Sequence, residues 1–123
     1  MAAIPLISIV DDDESVRESL WGLLRSVGFA VNVFPSAEEF WNSDQLSNSD
    51  CLILDVRMPG MSGIELQRRL VASGCNIPVI FITAYEDEGM RAQAIFNGAG
   101  AFLIKPFGEE AILNAIHAAL APK

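Results

Sequence analysis

Short apolar runs alternate along this chain with stretches in which apolar residues recur at helical spacing. The apolar runs predict five β-strands, which span residues 4–10, 29–34, 52–54, 79–82 and 101–104. The helical patterns predict five helices, which cover residues 16–27, 36–41, 64–71, 86–97 and 108–120. Nearly continuous apolar strands that alternate with helices indicate an α/β protein with a parallel sheet covered on both faces.

Several of these elements have recognisable ends. Gly28 follows the first helical pattern and ends it, and Ser36 resembles the N-cap of the second helix. The polar stretch 42–50 is typical of a loop, and residues 58–63 form a turn that leads into the third helix. In the fourth helix we expect three residues to belong mostly to the core: Met90, Ile95 and Phe96.

Length and composition indicate one compact domain over residues 1–123, with no output domain in this chain. The chain has 123 residues, of which 51% are hydrophobic, enough to bury a core. Its net charge of −8 argues against direct nucleic-acid binding, which needs a basic surface. A protein partner or a metal ion fits this charge better.

The two cysteines and the N-terminus favour a cytoplasmic protein. Cys51 and Cys75 match no metal-ligand spacing and no disulfide framework, so we expect reduced thiols. The N-terminus lacks the basic region of a signal peptide, and no apolar stretch is long enough to span a bilayer. We therefore expect no contact with a membrane.

Polar residues follow four of the five predicted strands. Residues 11–13 are three aspartates after the first strand, and Asp55, Thr83 and Lys105 follow the third, fourth and fifth strands. In a parallel sheet these groups would converge at the carboxyl edge, where open α/β sheets place their ligands. Several carboxylates with one lysine and one hydroxyl predict a site for a divalent cation and a phosphoryl group.

This combination suggests a specific chemistry. Crowded carboxylates repel one another and raise each other's pKa, and a hard cation such as Mg²⁺ relieves that repulsion. A carboxylate can also act as the nucleophile in phosphoryl transfer, and Lys105 can neutralise a phosphoryl oxygen. Each residue alone also has a simpler interpretation: Asp13 or Glu14 would cap the next helix, and Asp55 could be a turn residue. The combination carries the argument.

Taken together, the motifs resemble the receiver domain of two-component response regulators, and the similarity covers nearly the whole chain. The supporting segments are residues 9–13, 54–63, 82–84, 98–99 and 105–107. The sequence of residues 36–40 and 55–63 is most similar to receivers of the FixJ type, which precede a helix-turn-helix DNA-binding domain. The resemblance implies a flavodoxin-like, doubly wound sheet with strand order 2-1-3-4-5.

The resemblance also implies roles for individual residues. Asp55 would accept a phosphoryl group from a phosphohistidine on a sensor histidine kinase. Asp12, Asp55 and the backbone carbonyl of Arg57 would hold Mg²⁺ or Mn²⁺, and Asp11 would contact the ion through water. Lys105 would bind a phosphoryl oxygen. In such a protein the domain takes part in its own phosphorylation and dephosphorylation and is otherwise not an enzyme.

A conformational switch is implied as well. Thr83 would move to hydrogen-bond the phosphoryl group, and Phe102 would follow as the aromatic switch residue, at a position where many receivers have tyrosine. Pro106 would follow a cis peptide bond. Tyr85 and Arg57 would flank the phosphoryl site and affect the lifetime of the acyl phosphate. Phosphorylation would change the face formed by helix 4, strand 5 and helix 5, with possible homodimerisation there and DNA contact only through an output domain.

Three alternatives remain open from the residues. Asp11 and Asp13 superficially match the motif of haloacid-dehalogenase phosphatases, as nucleophile and acid/base, but that leaves Asp55 unexplained. A flavodoxin-like cofactor binder would share the fold, yet three carboxylates after the first strand would repel a phosphate. A receiver-like module that is never phosphorylated is the third possibility, and the complete residue set argues against it.

Overall fold

The computed structural model describes residues 4–84 and 87–121 and contains five strands and five helices in strict alternation. The strands are β1 (Leu6–Val10), β2 (Ala30–Phe34), β3 (Cys51–Asp55), β4 (Val79–Thr83) and β5 (Ala101–Ile104). The helices are α1 (Glu14–Ser26), α2 (Ala37–Trp41), α3 (Gly63–Ala72), α4 (Glu88–Phe96) and α5 (Glu109–Leu120). The α/β prediction is confirmed.

The sheet is parallel throughout, with the order β2-β1-β3-β4-β5. The order reverses at β1, because the chain passes from β1 to one edge and then returns to β3 on the other side. This is the flavodoxin-like arrangement that the resemblance implied. Such a reversal opens a crevice at the carboxyl ends of the strands, where ligands bind in folds of this type.

Helices cover both faces of the sheet, because the strand side chains alternate between them. On one face, Leu20 and Leu24 of α1 and Ile112 and Ile116 of α5 pack against strand residues such as Ile53. On the other face, α2, α3 and α4 pack against alternate strand residues. Every residue of β3 is buried, as expected for a strand covered on both sides.

Most predicted boundaries differ from the observed ones by one or two residues. The first strand begins at Leu6 instead of residue 4, because Pro5 has no N–H to donate and Ile4 is exposed. Ser36 caps α2 as predicted, with its Oγ accepting a hydrogen bond from the Glu39 N–H. The fourth helix begins at Glu88 after the N-cap Asp87; residue 86, where we expected it to begin, lies outside the described residues.

The prediction that Met90, Ile95 and Phe96 are mostly core is wrong for two of the three. Met90 packs against the core, but Ile95 is 48% exposed and Phe96 is 90% exposed. Ala94, four residues after Met90, shares its inward face, whereas the next two positions turn away from the sheet. Within residues 4–84 and 87–121, no helix is both long and apolar enough to cross a membrane.

Candidate functional site

The sheet brings the predicted site residues together at its carboxyl edge. Asp55 is the last residue of β3 and Thr83 the last of β4, while Asp11 and Lys105 directly follow β1 and β5. The register pairs Asp55 with Ile82 on the neighbouring strand, so the strand ends lie side by side. The expected convergence of these side chains is therefore observed.

Lys105 links two of the carboxylates. Its Nζ donates a hydrogen bond of 2.8 Å to Asp11 Oδ2 and lies 3.8 Å from Asp55 Oδ2. Asp11 is fully buried and Asp55 is 5% exposed. Buried charges of this kind need a partner, and one ammonium group serves both acids. Lys105 is thus a cation shared by two buried carboxylates.

Asp12 completes a cluster of three acids. Carboxylate oxygens of Asp11, Asp12 and Asp55 all lie within 4.8 Å of one another, and Asp12 is exposed to solvent. Carboxylate oxygens beside open solvent suit Mg²⁺, which keeps several of its own waters. The donor set therefore fits a hard divalent cation.

Asp13, by contrast, caps a helix. Its Oδ1 accepts hydrogen bonds from the backbone N–H of Ser15 and Val16 and from the Ser15 hydroxyl. These bonds lower the pKa of Asp13. The capping interpretation of Asp13 is confirmed, and the phosphatase alternative would need this same carboxylate as its acid/base group.

The site disfavours the charged form of Asp55. Burial, followed by the negative charge of Asp11, raises the pKa of the Asp55 carboxyl to about 7, although Lys105 and the Arg57 backbone N–H act in the opposite direction. Desolvation and like charge commonly have this effect on carboxylates. A bound cation would therefore be favourable here, because it would offset the repulsion between the Asp55 and Asp11 carboxylates.

Thr83 and Phe102 lie deeper on the β4 and β5 side of the site. Thr83 is 1% exposed, and its carbonyl accepts a 2.7 Å hydrogen bond from the Lys105 backbone N–H. Phe102 is buried with its ring centre 6.1 Å from that of Phe81. The peptide bond between Lys105 and Pro106 is cis, as the resemblance implied.

The Arg57 side chain pairs with an acid at the start of α4. The side chain is half exposed, and its Nη2 lies 3.5 Å from Asp87 Oδ2 at the start of α4. The pair connects the loop after β3 to the helix after β4. Tyr85, the other residue expected to flank the site, lies outside the described residues.

Two residues that support the site were not predicted from the sequence. Arg17 Nη1 donates a 2.8 Å hydrogen bond to the Asp11 carbonyl and so anchors the backbone of the acidic segment. Glu38 Oε2 accepts a 2.9 Å hydrogen bond from the Met61 N–H in the loop after β3. The sequence pattern specifies neither contact, because Glu38 reaches a loop 23 positions away and Arg17 reaches back six positions to the segment before its own helix.

Residues 7–117 match the family model of the response regulator receiver domain. The chain belongs to this family. Response regulator protein TodT of Pseudomonas putida is 50% identical over 115 residues, which are 94% of this chain and 51% of TodT. Transcriptional regulatory protein FixJ of Azorhizobium caulinodans is 42% identical over 114 residues, 93% of this chain and 54% of FixJ. The chain thus spans about half the length of these relatives.

A solved structure agrees with this assignment. The crystal structure of FixJ-N is 40% identical and superimposes with a TM-score of 0.86, covering 97% of this chain and 95% of FixJ-N. The FixJ-like character inferred from the motifs is confirmed. Family membership also decides against the phosphatase and cofactor-binding alternatives, and the receiver is a signalling domain and not a conventional enzyme.

Proposed function

We propose that Asp55 accepts a phosphoryl group from a phosphohistidine on a sensor histidine kinase. The observation that carries the proposal is the cluster itself: Asp55 ends β3 beside Asp11 and Asp12, with the Lys105 ammonium 3.8 Å away. Nucleophile, anionic ligands and a fixed cation are the groups that phosphoryl transfer to a carboxylate requires.

The residues fit Mg²⁺, or Mn²⁺ in its place. Asp12, Asp55 and the Arg57 backbone carbonyl would hold the ion, and Asp11 would contact it through water. Asp12 supports this assignment because it is the exposed member of the cluster, whereas Asp11 is buried and already bound to Lys105. The bound ion would compensate the charge of the carboxylates and of the phosphoryl oxygens.

The chain's own residues account for the transfer. An Asp55 carboxylate oxygen attacks phosphorus, the P–N bond of the phosphohistidine breaks, and the imidazole leaves with the electron pair of that bond. The product is an acyl phosphate. Lys105 binds a phosphoryl oxygen and keeps Asp11 neutralised, so that charge does not accumulate at the site. Attack by water on phosphorus later breaks the bond between phosphorus and the Asp55 oxygen, which releases inorganic phosphate and restores the carboxylate.

The conformational change that follows phosphorylation would involve residues of β4 and β5. Thr83 would hydrogen-bond the phosphoryl group, and Phe102 would repack, which biases the face formed by α4, β5 and α5. The exposed Ile95 and Phe96 give this face an apolar patch that suits a phosphorylation-dependent homodimer. Since TodT and FixJ are regulators of about twice this length, the protein would act in the cytoplasm on transcription through an attached DNA-binding domain.

Phosphorylation by acetyl phosphate tests the proposal directly. With Mg²⁺ present, the intact mass of the protein should increase by one phosphoryl group, and the increase should disappear in EDTA and in Asp55→Asn. Reductive trapping of the acyl phosphate followed by peptide mapping should place it at Asp55. Asp44→Asn, which removes the same charge from an exposed loop position, should be labelled like the unsubstituted protein.

Two results would contradict this function. Labelling that persists in Asp55→Asn would mean that another residue is the acceptor, and mapping to Asp11 would revive the phosphatase interpretation. Labelling that is lost equally in Asp44→Asn would show that the loss reports changed net charge instead of the acceptor.

A further inference from the structure

The loop that joins β3 to α3 carries the Arg57 carbonyl. Its first residue is fixed to the sheet, because the Val56 N–H donates to the Ile82 carbonyl at 3.1 Å. Its far end is fixed by Gly63, whose N–H donates to the Val56 carbonyl at 2.9 Å. A Cβ at Gly63 would overlap the Asp55 carbonyl oxygen, so the loop returns very close to the phosphoacceptor strand.

The middle of this loop is fixed from another element by Glu38. Glu38 Oε2 accepts the Met61 N–H at 2.9 Å, although the residues are 23 positions apart in the chain. Gly60 has a φ of 76°, and a Cβ there would overlap the same carboxylate oxygen. Hydrogen bonds to a charged acceptor are about twice as strong as neutral ones, so this contact constrains the turn firmly.

The Glu38 carboxylate is an unusual choice for a structural contact. Its other oxygen, Oε1, is buried and has no hydrogen-bond partner among residues 4–84 and 87–121. The hydrogen bond from Met61 also lowers the pKa of Glu38, so the group stays charged at neutral pH.

We propose that Glu38 is a positioning residue for the phosphorylation site, which fixes the turn at Gly60 and Met61 and thereby the position of the Arg57 carbonyl in the same loop. The inference rests on the proposed function, because it requires that carbonyl as a metal ligand. The buried Met58 and Met61 side chains hold the turn against the core, and Glu38 fixes its backbone. Glu38 itself touches neither phosphoryl group nor metal.

The test compares three variants in Mg²⁺ binding by calorimetry and in amide hydrogen exchange of the metal-free protein. Glu38→Ala removes the acceptor, Glu38→Gln retains an acceptor oxygen without the charge, and Glu39→Ala removes the adjacent exposed carboxylate in the same first turn of α2. Glu39→Ala therefore controls for net charge and for the effect of an acid at a helix N-terminus. Circular dichroism establishes that each variant is folded at the temperature used.

The expected results separate positioning from simple stabilisation. Glu38→Ala should weaken Mg²⁺ binding about 3- to 10-fold, less than the 10- to 100-fold typical of a direct neighbour of a metal ligand, because Glu38 acts through the loop. Exchange of the Met61 amide should become at least about 10-fold faster. Glu38→Gln should bind Mg²⁺ within about twofold of the unsubstituted protein, since it restores the hydrogen bond in weaker form. Glu39→Ala should change neither quantity.

Each other outcome is informative. Faster Met61 exchange with unchanged Mg²⁺ affinity in Glu38→Ala would overturn the proposal, because the site would then not depend on the turn. Unchanged exchange of the Met61 amide in Glu38→Ala would also overturn it, because the Glu38 carboxylate would then not constrain the turn. Failure of the unsubstituted protein to bind Mg²⁺ would overturn the proposed function and this inference together. If Asp55→Asn abolishes Mg²⁺ binding but Glu38→Ala leaves it intact, only the inference is overturned.

Discussion

Replacing Asp55 by asparagine should stabilise the metal-free protein, and the gain should increase with pH. Burial beside Asp11 raises the pKa of Asp55 to about 7, so above that pH the folded protein contains a carboxylate that its surroundings disfavour. Asparagine has nearly the same shape and no charge. The substitution therefore removes a source of instability while it also removes the proposed phosphoacceptor.

The sign and size of the effect follow from proton linkage. In the unfolded chain Asp55 has its ordinary pKa of 3.8. Between pH 3.8 and about 7 the folded state binds the extra proton, so the stability of the unsubstituted protein falls as pH rises. A shift of about three pKa units at about 1.36 kcal/mol each gives an upper value of about 4 kcal/mol. We expect about 2–4 kcal/mol, because water and local relaxation reduce the penalty for a buried charge.

Urea unfolding followed by far-ultraviolet circular dichroism in EDTA measures this difference. The unfolding midpoint of Asp55→Asn should rise without a change in the slope m. The gain should be largest near pH 8 and less than half as large near pH 5. Asp44→Asn is the matched control and should stay within about 0.5 kcal/mol of the unsubstituted protein at both pH values. Added Mg²⁺ should narrow the gap, because it compensates the Asp55 charge.

The result that would refute this reasoning is a gain that does not depend on pH. An equal gain near pH 5 and pH 8 would mean that asparagine improves packing or hydrogen bonding instead of removing a disfavoured charge. A variant that is less stable than the unsubstituted protein near pH 8 would mean that Lys105 stabilises the Asp55 carboxylate more than burial and Asp11 destabilise it.

Two further perturbations probe the same architecture. Lys105→Met should destabilise the metal-free protein by about 3–5 kcal/mol at neutral pH, because it leaves Asp11 buried without its cation; a loss below about 1 kcal/mol in urea unfolding would contradict this. Burial raises the pKa of Cys51 to about 12, whereas Cys75 is partly exposed, so iodoacetamide should modify only Cys75 in the folded protein and both thiols in urea. Peptide mapping that finds Cys51 modified as fast as Cys75 without denaturant would disagree.

The clustering of polar side chains at the carboxyl edge of the sheet could be predicted from the sequence, because it depends only on which residue follows each strand. Each of the four strands ends in a polar residue directly after an apolar run, and parallel strands bring such ends to one edge whatever the details of packing. The signal for the N-cap of α1 is also local: an acid before the helical pattern predicts a cap at Asp13 or Glu14, and the structure places it at Asp13. The proposed division of roles between Asp11 and Asp12 depends on where β1 ends, and the apolar pattern predicts that point at Val10, as observed.

Other features depend on tertiary packing or on the backbone path and left no signal in the apolar pattern. Glu38 reads in the sequence as an acid that stabilises the first turn of α2, yet its carboxylate reaches Met61 because α2 and α3 pack on the same face. The contact of Arg17 with the Asp11 carbonyl is local, but it depends on the backbone path between β1 and α1, which the apolar pattern does not specify. The apolar character of Phe96 predicts a core residue, but its angular position on α4 turns it toward solvent.

The position of Lys105 is compatible with the proposed role of Asp55 as the nucleophile. The ammonium is bound at 2.8 Å to Asp11 but lies 3.8 Å from Asp55, so its direct hydrogen bond goes to Asp11 and not to the proposed phosphoacceptor. The Lys105 charge therefore still attracts the Asp55 carboxylate, but no hydrogen bond from Lys105 occupies an Asp55 oxygen. Two carboxylates for one partly buried ammonium also leave an excess of negative charge, which Asp12 increases. The fold accepts this instability, and a cation or a phosphoryl group bound with its cation would relieve it.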